Sequence, residues 1–323
     1  MMNDTEVMTK ATAGLKMLAA DPRCREAFLL MPLLQQILEV PASRYIVASS
    51  QQGLWKRLVL LADKRYRLGV EYAGEEVENP EEISKIVDEY LALVETAAAI
   101  DTGDPVQLGF DLSNVGLLRS KRLAHDNTAR ILAAAAGKGI RVVISMERSS
   151  FVEDIIDVFV KLAEAHENVA LTLQAHLHRT ESDLEKIVAL GRKVRLVKGV
   201  YRESPEIALC RGPELDERYL RLLEYAVGRG VAVACATHDR NILLRADQRG
   251  LLAGVDEIEM LHGVRPALLK SYHDAGLNCR ISSVYGMNWW LHFLHRLAEY
   301  PPMMLVALAD LADPGRIRFG AEY

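Results

Sequence analysis

The stretch VRLVKGVY, residues 194 to 201, sets two cations, Arg195 and Lys198, three positions apart among apolar residues and glycine. Similar apolar runs elsewhere end on Asp111, Glu147, Gln174, His176, His238 and His262. This polar set holds more cations and imidazoles than core packing uses. If the runs are parallel strands, their carboxyl ends are where a barrel displays its chemistry. Two chemistries fit. In the first, imidazoles converge on a mouth and hold Zn²⁺: His176 and His178 stand two apart on one strand face, with Lys198, His238 and His262 on the next three strands. In the second, the ligand is a flavin, which needs a hydrogen-bond partner for its pyrimidine edge, a cation near N5 or N1, and cations for its pyrophosphate. Gln174, Arg195 and Lys198 supply these in that order. The plain structural alternative for the two cations is an internal ion pair with Glu203 or Glu206.

The elements that must position these residues recur from about residue 66. The candidate strands RLGVEY, PVQLGF, RVVISM, NVALTLQ, VRLVKG, VAVACA, VDEIEM and NCRISS begin near residues 67, 105, 141, 168, 194, 231, 255 and 278. Amphipathic segments separate them, several opening on an acidic or capping residue and closing on glycine. Eight strands alternating with eight helices predict an α/β fold, a (β/α)₈ TIM-type barrel. The expected organisation is a helical N-terminal arm over 1–43, the barrel over 44–302 and a tail over 303–323. The 323 residues are half hydrophobic, enough for one large core, and the net charge of −5 carries no basic block. That balance argues against a nucleic-acid partner. Cys24, Cys210, Cys235 and Cys279 form no C-x-x-C pair, and neither a signal peptide nor an integral membrane segment is evident. The expectation is a cytoplasmic protein without a metal site.

The zinc reading resembles the ligand inventory of amidohydrolases, but those enzymes carry His-x-His on the first strand and a carboxylate on the eighth, where NCRISSVYG has neither Asp nor Glu. The flavin reading gains more. LQAHLHRTESDL, VRLVKGVY, ACATHD, EMLHG and YGMNWWLHFLHRLAEYP resemble, in order and spacing, the successive signatures of the proline dehydrogenase family. The resemblance implies non-covalent FAD and oxidation of the C–N bond of a cyclic secondary amine by hydride transfer to flavin N5, with oxygen or a quinone as electron acceptor. It places Arg195 near N5. It also assigns Gln174, Lys198, Gly199, Tyr201, Thr237, His238, Leu261 and Glu299 to the cofactor's surroundings.

The substrate side departs from the pattern. His292, His295, Arg296 and Glu299 fall on one helical face, opposite Trp290, Phe293, Leu294 and Leu297. The family carries two adjacent arginines there to grip the substrate carboxylate, where this chain has His295 and Arg296. Asp111 stands at the family's lysine on the second strand. Ser282 and His292 stand at tyrosines, and the family's D-M-E reads Ser145, Met146, Glu147. A grip of three cations becomes one without net charge, and each lost charge-assisted hydrogen bond weakens carboxylate binding by about 1.5 to 3 kcal/mol. The expected substrate is therefore a small amine or proline analogue, possible in specialised biosynthesis. Ordinary proline catabolism and a flavin-binding protein without turnover are the alternatives. Protonation of His292 or His295 towards the ordinary imidazole pKa is expected to restore part of the lost charge.

Overall fold

The computed structural model describes residues 4–74 and 76–323. Its strands are β1 (Ile46–Ala48), β2 (Arg67–Tyr72), β3 (Gln107–Phe110), β4 (Arg141–Ile144), β5 (Val169–Gln174), β6 (Val194–Val197), β7 (Val233–Ala236), β8 (Glu257–Leu261) and β9 (Cys279–Tyr285). Neighbours from β2 to β9 pair in parallel, and β9 pairs back to β2, closing an eight-stranded barrel. The short β1, which the sequence patterns did not single out, pairs in parallel with the end of β9.

The helices are α1 (Asp4–Ala20), α2 (Pro22–Leu29), α3 (Pro32–Ala42), α4 (Gln51–Ala62), α5 (Pro80–Ala99), α6 (Lys121–Ala136), α7 (Val152–Ala165), α8 (Thr180–Ala189), α9 (Pro213–Gly228), α10 (Arg240–Gln248), α11 (Pro266–Asp274), α12 (Trp290–Glu299) and α13 (Met303–Ala312). The crossover α5 shows why such segments fold as they do. Asn79 caps it by accepting from the N–H groups of Glu81 and Glu82, and Pro80 opens its first turn. Its buried stripe of Ile83, Ile86, Val87, Tyr90, Leu93 and Val94 repeats at helical spacing. Tyr90 then ties helix to sheet, its hydroxyl donating to Gly109 O at 2.9 Å and accepting from Tyr72 N at 3.0 Å.

Inside the barrel, the amino-terminal end is closed by ions rather than hydrocarbon. Glu257 accepts from Arg280 Nε at 2.9 Å and from Arg67 at 3.2 Å, and it also pairs with Lys193. Burial opposes the charge on Glu257, yet Arg280 and Lys193 hold its pKa down to about 2.

The arm and tail brace α12. The helix α1 lies along it, with Thr12 Oγ1 donating to Ala298 O at 3.2 Å, and Phe28 stacks on Trp290 at 4.5 Å. The segment after residue 302 contains α13, which packs on α3 and is locked by the two-pronged Arg44–Asp310 pair at 2.8 Å. Among the described residues, no helix is long and apolar enough to cross a membrane.

Candidate active site

Arg195 lies inside the barrel, not at a solvated rim, and is 9% exposed. Strand pairing sets it beside Thr172 of β5 and Ala234 of β7. Its Nε donates to Thr172 Oγ1 at 2.8 Å and its Nη2 to Ser145 Oγ at 2.8 Å. Nη1 is shared by two carboxylates, Glu71 Oε1 at 2.9 Å and Glu259 Oε1 at 3.3 Å. Burial works against the guanidinium charge, but Glu71 and Glu259 more than offset it and raise its pKa above the ordinary value. Gly109 makes room for this arrangement, since a Cβ there would stand 2.5 Å from Glu71 Oε1.

Lys198 is also matched within the chain, by Asp216 at 2.6 Å and Asp239 at 2.7 Å. Asp239 does double duty. Its Oδ1 caps α10 by accepting from Asn241 N at 2.9 Å while Oδ2 holds the lysine, and Thr237 Oγ1 accepts its N–H at 3.1 Å. Glu203 and Glu206, the partners of the plain structural alternative, are therefore not the ones the two cations use. Glu203 instead accepts from Ser149 N and Oγ.

Around these cations stand the other residues of the carboxyl-terminal mouth. Gln174 is buried, and its Nε2 donates to Glu147 O at 2.7 Å; Glu147 Oε1 accepts from Ser113 N. Burial raises the Glu147 pKa. His238 Nε2 accepts from Leu261 N at 2.9 Å, which puts the ring proton on Nδ1. Gly199 adopts φ 102°, and a Cβ there would overlap the His176 ring, so glycine is required. Tyr201 follows in the partly buried loop. On β3, Gly109 faces Glu71 inside the barrel, and Asp111 follows the strand as the residue that opens the 3-10 turn Leu112–Val115. Ser282 of β9 donates to Glu259 Oε1 at 2.6 Å.

His176 and His178 do not share a strand face. β5 stops at Gln174, and the turn that follows sends the two rings apart: His178 Nε2 meets Pro205 O at 2.9 Å, whereas His176 is buried with neither ring nitrogen bonded. His262 is enclosed by Phe319 and Tyr323, with its Nδ1 3.3 Å from the Tyr323 hydroxyl. Among the described residues, no group of three or more His, Cys, Asp or Glu side chains could hold a metal ion.

The α12 face holds Arg296 buried, with Nη1 2.9 Å from Glu299 Oε2 and Nε without a partner. Burial, and then the Arg296 charge, lower His295 to about 4 and hold His292 well below the ordinary imidazole value. This corrects the expectation that either ring gains charge near the ordinary imidazole pKa. Both are neutral at pH 6 to 8.

A family model for proline dehydrogenase matches residues 54–299. The chain belongs to the proline dehydrogenase family. Proline dehydrogenase 2 of Bacillus subtilis strain 168 is 31% identical over 246 residues, covering 75% of this chain and 80% of the relative. Proline dehydrogenase of Deinococcus radiodurans is 27% identical over 269 residues, covering 80% and 86%. Among solved structures, proline utilization A from Bdellovibrio bacteriovorus, inactivated by N-propargylglycine, superposes with a TM-score of 0.74 at 18% identity over 87% of this chain. This chain spans 34% of that protein's length. As a member of the proline dehydrogenase family, the chain is an oxidoreductase on a (β/α)₈ barrel.

Sequence reasoning missed Glu71, Glu259 and Thr172, all bonded to Arg195 inside the barrel. The signal was present, because Glu71 is the one carboxylate of RLGVEY and Glu259 stands between apolar Ile258 and Met260. It also missed Lys16 of the arm, which reaches Val200 O at 3.5 Å; burial, and then the charges of Arg211 and Arg202, lower its pKa. The arm thus adds a cation to the loop after β6.

The buried histidines make a stability prediction. Burial, and then nearby arginine charge, lower His176 to about 4 and His262 to about 3. Their neutral folded forms are favoured above the unfolded imidazole pKa, and stability is lost as pH falls below about 6.5. Each ring should contribute a slope of about 1.4 kcal/mol per pH unit between roughly pH 6 and 4.5, with raised Glu147 acting in the opposite sense. Thermal melts across this range should show the loss, and His176→Gln should reduce its slope by one ring's share while His238, His262, His292 and His295 keep theirs; an equally steep profile in the variant would refute the assignment.

Proposed function

We propose that this family member is an FAD-dependent oxidoreductase acting on a small, cyclic secondary amine in place of L-proline itself. The observation that carries the reading is the neutralised α12 face: its single guanidinium, Arg296, is engaged by Glu299, and His292 and His295 are uncharged beside it.

The donor set fits a flavin dinucleotide. The buried His176 has two unbonded ring nitrogens, and Arg296 Nε and Trp290 Nε1 are buried without partners. Lys16, Arg202 and Arg211 gather at the loop after β6, and Gly199 lets the backbone come close there. Gln174, Lys198, Tyr201, Thr237, His238, Leu261 and Glu299 complete the surroundings proposed for it. A bound flavin supplies a two-electron acceptor for hydride.

The chain's own residues do the rest. Arg195, fixed by four partners, would offer a preorganised guanidinium beside the acceptor, where negative charge develops as hydride arrives. The substrate nitrogen must be unprotonated, so that its lone pair forms the C=N bond as the neighbouring C–H bond breaks and the resulting iminium sheds its N–H proton. Asp111, Ser282, His292, His295 and Arg296 line the substrate side. Oxygen or a quinone takes the two electrons. The second reading, ordinary L-proline oxidation, is favoured by the names of the Bacillus and Deinococcus relatives.

Purified protein should carry a flavin absorption band and release FAD on denaturation, and one of a panel of cyclic amines should bleach that band without oxygen. Absence of flavin after supplementation with FAD would exclude the cofactor assignment. Flavin that no amine reduces would indicate a binding protein without turnover.

A further inference from the structure

The barrel interior beneath the mouth holds more negative charge than its arginine can balance. Glu71 and Glu259 both draw on Arg195 Nη1, at 2.9 and 3.3 Å. The remaining donors of that guanidinium are directed to Thr172 and Ser145, which are uncharged. Glu259 is 4% exposed; Oε1 also accepts from Ser282 Oγ, while Oε2 is buried without any hydrogen-bond partner. Leaving a carboxylate oxygen unsatisfied in the interior is costly, and a donor that arrives with the ligand removes the cost. Glu71, by contrast, has a side chain 26% exposed, so this carboxylate can be reached from solvent.

The surrounding groups do not supply the missing cation. Lys198 is held by Asp216 and Asp239, and Arg296 by Glu299. At the amino-terminal end, Arg67, Lys193 and Arg280 are all directed to Glu257, the first two also to Asp256, and not to Glu71 or Glu259. The wall is also built from small residues, Gly69, Gly109, Ser145 and Ser282, which keep hydrocarbon away from the two carboxylates. A substrate carboxylate would meet repulsion here, whereas a protonated nitrogen would meet an unpaired acceptor.

We propose that Glu259, with Glu71, is a specificity determinant selecting a cyclic amine that bears a second, protonated amino group. This rests on the amine-oxidation reading above and names the substrate class for it. One nitrogen, unprotonated, belongs to the C–N bond that is oxidised. The other, an ammonium, donates to the carboxylate pair and fixes the ring's orientation.

The test separates binding from turnover. The FAD-loaded protein, reduced with dithionite so that no oxidation can occur, is titrated by calorimetry with 3-aminopyrrolidine, pyrrolidine and L-proline. The expected order of affinity is 3-aminopyrrolidine first, by about tenfold or more over pyrrolidine, with L-proline last. Glu259→Gln, which keeps the shape and removes the charge, should bring the diamine to within about twofold of pyrrolidine, and Glu71→Gln should narrow the gap. Glu259→Asp should retain the preference. Thermal melts identify a variant that fails to fold, and the ranking in unaltered protein then decides. Equal binding of the two amines, tighter binding of L-proline, or a preference unchanged in both glutamine variants would overturn the proposal. A parallel anaerobic mixing experiment with oxidised protein reports flavin reduction. If no amine reduces it, the oxidation reading fails, while the calorimetric ranking still judges the carboxylate pair.

Discussion

Arg195→Met should slow flavin reduction by about a hundredfold or more and lower the melting temperature at the same time. The kinetic part follows from removing a fixed cation from the place where negative charge develops, a loss worth about 2.7 to 4 kcal/mol in comparable electrostatic sites. The stability part follows from the partners: without the guanidinium, buried Glu259 and partly buried Glu71 face each other as like charges, and removing one partner of a buried ion pair costs about 3 to 5 kcal/mol, less where one carboxylate is partly solvated. The two effects separate in the double change Arg195→Met with Glu259→Gln. One buried charge is then gone, so stability should largely return while flavin reduction stays slow. Rapid mixing under anaerobic conditions and thermal melts on both variants check this. Recovery of both properties together would make Arg195 structural and remove it from the chemistry.

Asp111→Lys combined with His295→Arg should raise the kcat/KM for L-proline by about tenfold or more, and by more than the two single changes multiplied together. Each restores a cation that the family pattern places around the substrate carboxylate, and two cations sharing one carboxylate couple. The single His295→Arg change should do little, because its new guanidinium would stand beside Arg296 with only Glu299 to moderate the repulsion. Independent effects of the two substitutions would show that Asp111 and position 295 do not meet at one ligand.

The barrel could be read from the chain because each β/α unit repeats two strong signals, a short apolar run and an amphipathic helix with a cap. The strand β1 escaped this reading. Ile46–Ala48 is three residues long, too short for any periodicity to mark it, although α4 follows it. The helix α13 was hidden for a different reason: MMLVALADLA is apolar on most faces and carries no cap that hydrogen-bonds through its side chain. Its place is set by tertiary contacts, above all by Arg44 on buried Asp310.

For the site, residue identity and strand position were visible, but partnership was not. Arg195 and Lys198 stood out as cations in an apolar run. That one is held by carboxylates from β2 and β8, and the other by α9 and the cap of α10, depends on closure of the barrel. No spacing in the chain encodes it. The same limit applies to His292 and His295. Their type suggested a switch near neutral pH, whereas burial and the neighbouring Arg296 charge carry both rings out of that range.

The most direct test of the proposed loss of the carboxylate grip is anaerobic reduction of the FAD-loaded protein, followed at the flavin band, with L-proline and pyrrolidine compared across concentration. These residues predict a higher ratio of reduction rate to dissociation constant for pyrrolidine, because no net positive charge awaits the carboxylate. Efficient reduction by L-proline, with pyrrolidine clearly poorer, would contradict it and establish proline as the substrate this pocket serves.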